Sequence, residues 1–102
     1  MQNFHTQSGG LIIGGIRITF PFAKISVNKE ILIINYLFWK KIEFTLDDIS
    51  NLEASHGLFD KGIIIHHKIK YYEKDIIFRC SNPDKLIEEI KNTGFFRQKN
   101  ND

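Results

Sequence analysis

The sequence contains little cysteine or proline, and neither sign of charge dominates. Of its 102 residues one is cysteine, Cys80, and two are proline. A single cysteine excludes an intramolecular disulfide and favours a reducing compartment, so we predict a cytoplasmic protein. The 14 basic residues against 12 acidic ones give a formal net charge of +2. This balance argues against a nucleic acid or an anionic membrane being bound by bulk electrostatics alone.

Long apolar runs are also absent. The longest extend over four or five residues, as at 31–34, whereas a helix that spans a bilayer needs about 20. The start of the chain has no basic segment followed by an apolar one, which argues against a signal peptide. With 42% hydrophobic and 25% charged residues, the chain has the size and composition of one globular domain.

We place that domain at residues 11–95. Residues 1–10 end in Ser-Gly-Gly and show no apolar periodicity, so we interpret them as a flexible lead-in. Residues 96–102 form a tail that is polar from Arg97 onward. No repeat, low-complexity tract or linker divides the segment between them.

Short apolar segments alternate with turn residues along the domain, which predicts a mostly β fold. The expected strands cover residues 11–20, 23–27, 31–38, 42–45, 50–55, 63–67 and 75–80. Gly14 and Gly15 interrupt the first segment, and we expect a bulge or a sharp bend there. Pro21 is expected to end the ladder pairing that follows.

After residue 80 the pattern becomes that of a helix. A capping serine, an early proline and an acid follow one another within 81–84. Gly94 is placed to end the helix. The apolar residues between them recur at helical spacing: Leu86, Ile87 and Ile90. We therefore expect one amphipathic helix of about three turns, packed on a barrel mouth or a sheet face.

This order of elements resembles the pleckstrin-homology-like (PH-like) barrel, in particular its small bacterial versions. The resemblance covers residues 12–95 and is carried by Ile25-x-Val27, Leu32-x-Ile34, Ile42-x-Phe44-x-x-x-x-Ile49, Gly62-Ile63-x-Ile65, Ile77-Phe78 and Leu86-Ile87-x-x-Ile90-x-x-x-Gly94-Phe95. It implies about seven antiparallel strands closed by one C-terminal helix. A closed barrel and an open roll both fit the periodicity. The resemblance also implies a protein that binds phosphoinositides, peptides or further copies of itself.

Phosphoinositide-binding members of that family place lysines and arginines around the loop that joins the first two strands. We assign that loop to residues 21–22, where Arg17 and Lys24 are the nearest bases, and Lys40 and Lys41 follow the third strand. These four residues are the candidate contacts for an anion or a lipid headgroup. Two separated cations make a weaker phosphate site than the arginine forks that phosphate recognition favours, so membrane binding is our alternative function.

The sequence shows no arrangement typical of an enzyme, a metal site or a cofactor site. His66 and His67 are adjacent on a strand and point to opposite faces, so strand geometry does not let them share a metal. Cys80 lacks a nucleophile motif, and we expect it to act as a small hydrophobe. The acidic pairs 47–48 and 88–89 fit a turn and a solvated helix face. We predict a non-enzymatic protein without a cofactor.

The most informative side chains are large and apolar. Trp39 lies beside two lysines near a turn, and Leu58 and Phe59 are adjacent in a loop that contains two glycines. Such residues anchor protein partners when they are exposed, and complete the core when they are buried. We predict association with a partner protein or a second copy of this chain, with these three residues as contacts. Single-stranded nucleic acid, which basic and aromatic surfaces also bind, fits the balanced charge less well.

Overall fold

The computed structural model describes residues 4–95, which form seven antiparallel strands and one α-helix. The strands are β1 (His5–Ile13), β2 (Ile16–Val27), β3 (Ile31–Tyr36), β4 (Lys40–Thr45), β5 (Ile49–Ser55), β6 (Gly62–His67) and β7 (Ile76–Arg79). A short 3-10 helix, Leu46–Asp48, joins β4 to β5, and α1 (Pro83–Asn92) follows β7. The prediction of a mostly β fold with a C-terminal helix is confirmed.

All seven strands belong to one sheet, in the order β4-β3-β2-β1-β7-β6-β5. The strand β1 lies at the centre of this order and pairs with both β2 and β7. Among residues 4–95 no ladder joins β4 to β5, so the curled sheet is an open half-barrel rather than a closed barrel. The helix α1 packs against β5 and β6 and closes one side of it. No helix in this part of the chain combines the length and the apolar character needed to cross a membrane.

The first hairpin differs from the expectation. The prediction of one strand over 11–20 is wrong, because Gly14 and Gly15, where we expected a bulge or a sharp bend within it, form the turn between β1 and β2. Ile13 pairs with Ile16 across this turn, and Gly14 has a φ of 59°, which costs a glycine little. The loop between the first two strands is therefore 14–15 rather than 21–22, and it carries no basic residue.

The strand β1 also begins inside the segment that we expected to precede the domain. Residues 5–9 pair with residues 23–27 of β2, so the folded unit extends before residue 11. The Nε2 atom of His5 lies 3.2 Å from a carboxylate oxygen of Glu89, so this segment lies against α1. The expected tail at 96–102 lies outside the described residues.

The strand β2 continues through Pro21, where we expected pairing to end. The register shifts at this point, between the pairs Gly9–Ala23 and Leu11–Ile18. Residues 19–22 therefore oppose Gly10 alone and form a wide bulge, whose Phe20–Pro21 peptide bond is cis. A bulge bends the strand and turns side chains out of the regular alternation. Residues 19–22 are all exposed, and they are the origin of the apolar surface described below.

The core lies on the concave face of the sheet, where alternate strand residues meet. Its fully buried members include Leu11, Ile25, Leu32, Ile34, Phe44, Ile49, Ile63, Ile65, Ile76 and Phe78. Leu86 and Ile90 of α1 are buried against them, and so is Phe95 beyond the helix. Burying side chains of this size stabilises the fold by about 1.5–3 kcal/mol each, before conformational entropy is subtracted.

The helix begins and ends close to the predicted positions. Asn82, rather than Ser81, is the N-cap residue, and its side-chain oxygen accepts a hydrogen bond from the Lys85 amide at 3.2 Å. Pro83 occupies the first turn, where the missing N–H does no harm. Thr93 is the C-cap, and Gly94 follows with a φ of 93°. The predicted stripe of Leu86, Ile87 and Ile90 does face the core.

Candidate functional site

Large apolar side chains are exposed at several places among the described residues, and some of them adjoin one another. They include Phe4, Ile16, Phe20, Phe22, Phe38, Trp39, Leu58, Phe59 and Tyr71. Isolated exposed hydrophobic residues are common on soluble proteins and need no explanation, whereas contiguous ones mark a contact surface. The contacts among these residues therefore decide whether a binding site exists.

The turn between β3 and β4 exposes two of them. β3 was expected to reach Phe38 but ends at Tyr36, and Leu37 and Phe38 adopt φ values of 52° and 69°. The amide of Leu37 donates to the carbonyl of Phe22 at 3.1 Å, which fixes the turn on β2. Leu37 packs on the core, while Phe38 and Trp39 are 85% and 74% exposed. Positive φ is costly for such residues, so this outward display depends on the surrounding hydrogen bonds.

The turn and the β2 bulge form one surface. The rings of Phe22 and Phe38 meet edge to face, with centroids 5.8 Å apart and an interplanar angle of 76°. Such pairs contribute about 0.5–1.5 kcal/mol beyond the area that they bury. Two side chains separated along the chain by the whole of β3 are thus held together at the surface.

The loop between β5 and β6 extends this surface at its other end. Leu58 and Phe59 are 91% and 76% exposed. Leu58 and Phe20 line the same surface cleft, which has a volume of about 320 Å³. The Nη2 atom of Arg17 donates a hydrogen bond to the carbonyl oxygen of Phe59 at 2.6 Å. Arg17, a candidate anion contact, therefore holds this loop in place.

We call the contiguous group Phe20, Pro21, Phe22, Phe38 and Leu58 the apolar strip. The predicted contacts Trp39 and Phe59 are the chain neighbours of its members Phe38 and Leu58. Sequence reasoning pointed to both ends of the strip and missed Phe20 and Phe22 in its middle. The signal was available, because a proline flanked by aromatic residues is foreign to a regular central strand.

The four candidate cations do not form one cluster. Lys24 is exposed on β2 and lines a cleft of about 340 Å³ together with Phe22 and Phe38. Lys40 lines a different cleft, near the Gly14–Gly15 turn. The Nζ atom of Lys41 lies 2.9 Å from the Glu43 carboxylate, whose hydrogen bond and negative charge raise the pKa of Lys41.

The two histidines lie on opposite faces of β6, as predicted. His66 is exposed, with its Nε2 2.9 Å from a carboxylate oxygen of Glu53. His67 accepts a hydrogen bond from the Ile69 amide at Nδ1, at 3.0 Å, so its Nε2 donates to the Glu73 carbonyl at 2.7 Å. Within residues 4–95 no group of three His, Cys, Asp or Glu side chains is arranged to hold a metal ion.

Cys80 is half-buried at the end of β7 and is a free thiol. Burial raises the pKa of this thiol, and the smaller opposing effects are a hydrogen bond from the Asn82 backbone and the charge of Lys61. A raised pKa keeps the group protonated at neutral pH, which is the reverse of what a nucleophilic cysteine needs.

No protein-family model matches this sequence, and neither a curated protein nor a solved structure matches it.

Proposed function

We propose that this chain is a non-enzymatic protein-binding module of PH-like fold, and that the apolar strip is its contact surface. The observation that carries the proposal is the contiguity of exposed side chains from three separate elements: the β2 bulge, the β3–β4 turn and the β5–β6 loop. Protein interfaces bury surfaces of this kind, with aromatic residues at their centre. The strand order and the C-terminal helix support the PH-like assignment, and the single free thiol supports a cytoplasmic location.

The sheet edges support contact through side chains rather than through an added strand. The N–H and C=O groups of Glu43, on the outer edge of β4, both contact the hydroxyl of Tyr72. The next outward amide, that of Thr45, donates to the Asp48 carboxylate at 2.7 Å. At the other end of the sheet, α1 packs against β5. The blocked edge of β4 resists strand addition, which favours the strip as the contact surface.

The size of the strip suggests a reversible contact. Burying its four large side chains would contribute about 6–12 kcal/mol, at roughly 1.5–3 kcal/mol each. Association itself costs about 4–15 kcal/mol in lost translational and rotational freedom. The largest surplus that these ranges allow is about 8 kcal/mol, which corresponds to a dissociation constant of about 1 μM, so we expect a concentration-dependent association that is no tighter than micromolar.

The proposal is tested by site-specific photo-crosslinking in the cell, combined with the molar mass of the purified chain. A photoreactive phenylalanine analogue is placed at position 38 or 58, and at position 71 as the control. Tyr71 is 84% exposed, close to the exposure of Phe38 and Leu58, but it is not part of the strip. Light scattering over a range of concentrations then separates a second copy from another partner.

Defined adducts from positions 38 and 58, with none from position 71, would support the proposal. The exchange of Phe20 and Phe38 for serine should then remove the adduct at position 58, while Ile16→Ser leaves it unchanged. A chain that stays monomeric and gives no adduct from the strip would overturn the proposal.

A second candidate function is peripheral binding to an anionic membrane. It is favoured by the β3–β4 turn, where exposed Phe38 and Trp39 adjoin Lys40, and Lys24 shares a cleft with Phe38. This function predicts binding to phosphatidylserine vesicles that weakens steeply with salt and with Lys24→Gln. Absence of binding to these vesicles at low salt would contradict this second function.

A further inference from the structure

The cleft at the Leu58 end of the apolar strip contains two cations. It lies on the convex face of the sheet, has a volume of about 320 Å³, and is lined by Gly10, Phe20, Leu58, Lys61, Arg79 and Cys80. Arg79 faces this side because its neighbour Phe78 is buried in the core, and successive strand residues point to opposite faces.

Arg79 is half-buried, and a glycine flanks it on each neighbouring strand. Across the ladders it pairs with Gly10 on β1 and with Gly62 on β6. Neither glycine has room for a side chain: a Cβ at Gly10 would lie 2.8 Å from the Ile18 carbonyl oxygen. A Cβ at Gly62 would lie 2.7 Å from the Cα of Arg79. The two glycines thus border a groove beside the Arg79 side chain, and the next residue of this cross-strand row is Ser55, which pairs with Gly62.

One donor of the Arg79 guanidinium, the Nε atom, is buried and lacks a hydrogen-bond acceptor in the described part of the chain. Among residues 4–95 no ion pair joins Arg79 to an acidic side chain. A charged group with a buried donor that lacks an acceptor destabilises a protein, and an anion bound at the accessible part of the same guanidinium would offset part of that cost.

We propose that this cleft binds the carboxylate of a partner segment in which an apolar side chain adjoins that carboxylate. Arg79 and Lys61 hold the carboxylate, the arginine through its planar fork, while Phe20 and Leu58 contact the apolar group. The two large apolar side chains beside the cations favour a carboxylate joined to an apolar group over inorganic phosphate, which would leave Phe20 and Leu58 without a contact. The inference rests on the proposed function, which it deepens by naming the chemistry of the partner.

The test uses small probes that separate charge from shape. N-acetyl-leucine carries a terminal carboxylate, N-acetyl-aspartyl-leucine amide carries a side-chain carboxylate, and N-acetyl-leucine amide carries neither. Binding is followed through the backbone amide resonances of Lys61 and Cys80 in a nitrogen-15 NMR titration of the full chain, with inorganic phosphate as a fourth probe.

We expect saturable shifts with at least one carboxylate probe, and at least tenfold weaker binding of the uncharged amide. Lys61→Gln should weaken carboxylate binding several-fold, and Arg79→Gln at least tenfold, with Lys24→Gln as the matched control. Since Lys61 is exposed, its variant keeps the test decisive even where Arg79→Gln fails to fold. Equal binding of the uncharged probe, tighter binding of phosphate at the same residues, or no saturable shift would overturn the inference.

The failure of this inference is distinguishable from that of the proposed function. Crosslinks at position 38 without carboxylate binding would leave protein association standing and refute the carboxylate site alone. Carboxylate binding without any crosslink from the strip would refute protein association, and with it a partner segment as the source of the carboxylate.

Discussion

The hydroxyl oxygen of Tyr72 lies 3.1 Å from the amide nitrogen of Glu43 and 3.4 Å from its carbonyl oxygen, so one side chain occupies both polar groups of an edge-strand residue. The ring of Tyr72 also packs edge to face on Phe44, at 5.4 Å between centroids. Tyr72 thereby ties the segment between β6 and β7 to the free edge of β4. It supports the curl of the half-barrel and blocks the edge against a further strand.

Removing this hydroxyl should weaken the fold measurably. We expect Tyr72→Phe to lower the free energy of unfolding by about 1 kcal/mol, since it deletes the hydrogen bonds and keeps the ring contacts. Urea unfolding followed by circular dichroism provides the measurement. Tyr71→Phe is the control, because Tyr71 is exposed and contacts the ring of Tyr72. Equal midpoints for the two variants would show that the Glu43 contact contributes nothing.

The middle and end of the fold could be predicted from the sequence because local patterns determine them. Leu32 and Ile34 alternate with less buried residues, as a half-buried strand requires, and the apolar spacing of α1 matches its buried face. The first hairpin could not be predicted in the same way. A Gly-Gly pair permits both a bulge and a turn, and residues 5–9, which include Thr6 and Ser8, have no apolar period. Their strand exists because of its ladder with 23–27, which is a long-range contact.

The site could be predicted only at its ends. Trp39, Leu58 and Phe59 lie beside turn residues, and this local fact made them candidates. The placement of Phe20 beside Leu58, and the bond from Arg17 to Phe59 across 42 positions of the chain, depend on the folded sheet. Arg17 could be identified as a basic residue, but its use as a support for the β5–β6 loop follows only from tertiary structure.

The sequence prediction and the structure place the N-cap of α1 at different residues, Ser81 and Asn82. We expect Asn82→Ala to lower the free energy of unfolding by about 1 kcal/mol, because the Lys85 amide loses its acceptor. Ser81→Ala should change it by less than about 0.5 kcal/mol, as an exposed substitution away from a cap. Urea unfolding of both variants makes the comparison. A larger loss of unfolding free energy in Ser81→Ala than in Asn82→Ala would identify Ser81 as the N-cap.

Gly62, one of the two glycines that pair with Arg79 in the sheet, should not tolerate the added methyl group of alanine. A Cβ at Gly62 would overlap the Phe78 carbonyl and lie 2.7 Å from the Arg79 Cα; both are backbone atoms that cannot rotate away. We expect Gly62→Ala to destabilise the chain by about 1–3 kcal/mol. The control is Gly15→Ala, where no described atom lies within 4 Å of the added methyl and where stability should hold or rise slightly. Similar thermal midpoints for the two variants would contradict the tight packing of β6 on β7.

The thiol of Cys80 should become reactive only at high pH. Burial raises its pKa in the folded chain, so the rate of alkylation by iodoacetamide should reach half its plateau at a higher pH than in urea. Since the folded pKa lies above the unfolded one, the contribution to stability is fully present below the unfolded pKa and is lost as the pH rises through the folded pKa. The free energy of unfolding should therefore fall less steeply above about pH 8.5 in Cys80→Ala than in the unaltered chain.

Lys61 provides the control for that measurement, because its positive charge lowers the pKa of the same thiol. Lys61→Gln should move the half-plateau of alkylation to a still higher pH, whereas Lys24→Gln should leave it in place. A folded half-plateau below the unfolded one would mean that the cleft stabilises a thiolate. In that case Cys80 would be a reactive group facing the proposed carboxylate site, and the interpretation of this protein as a purely binding module would have to be abandoned.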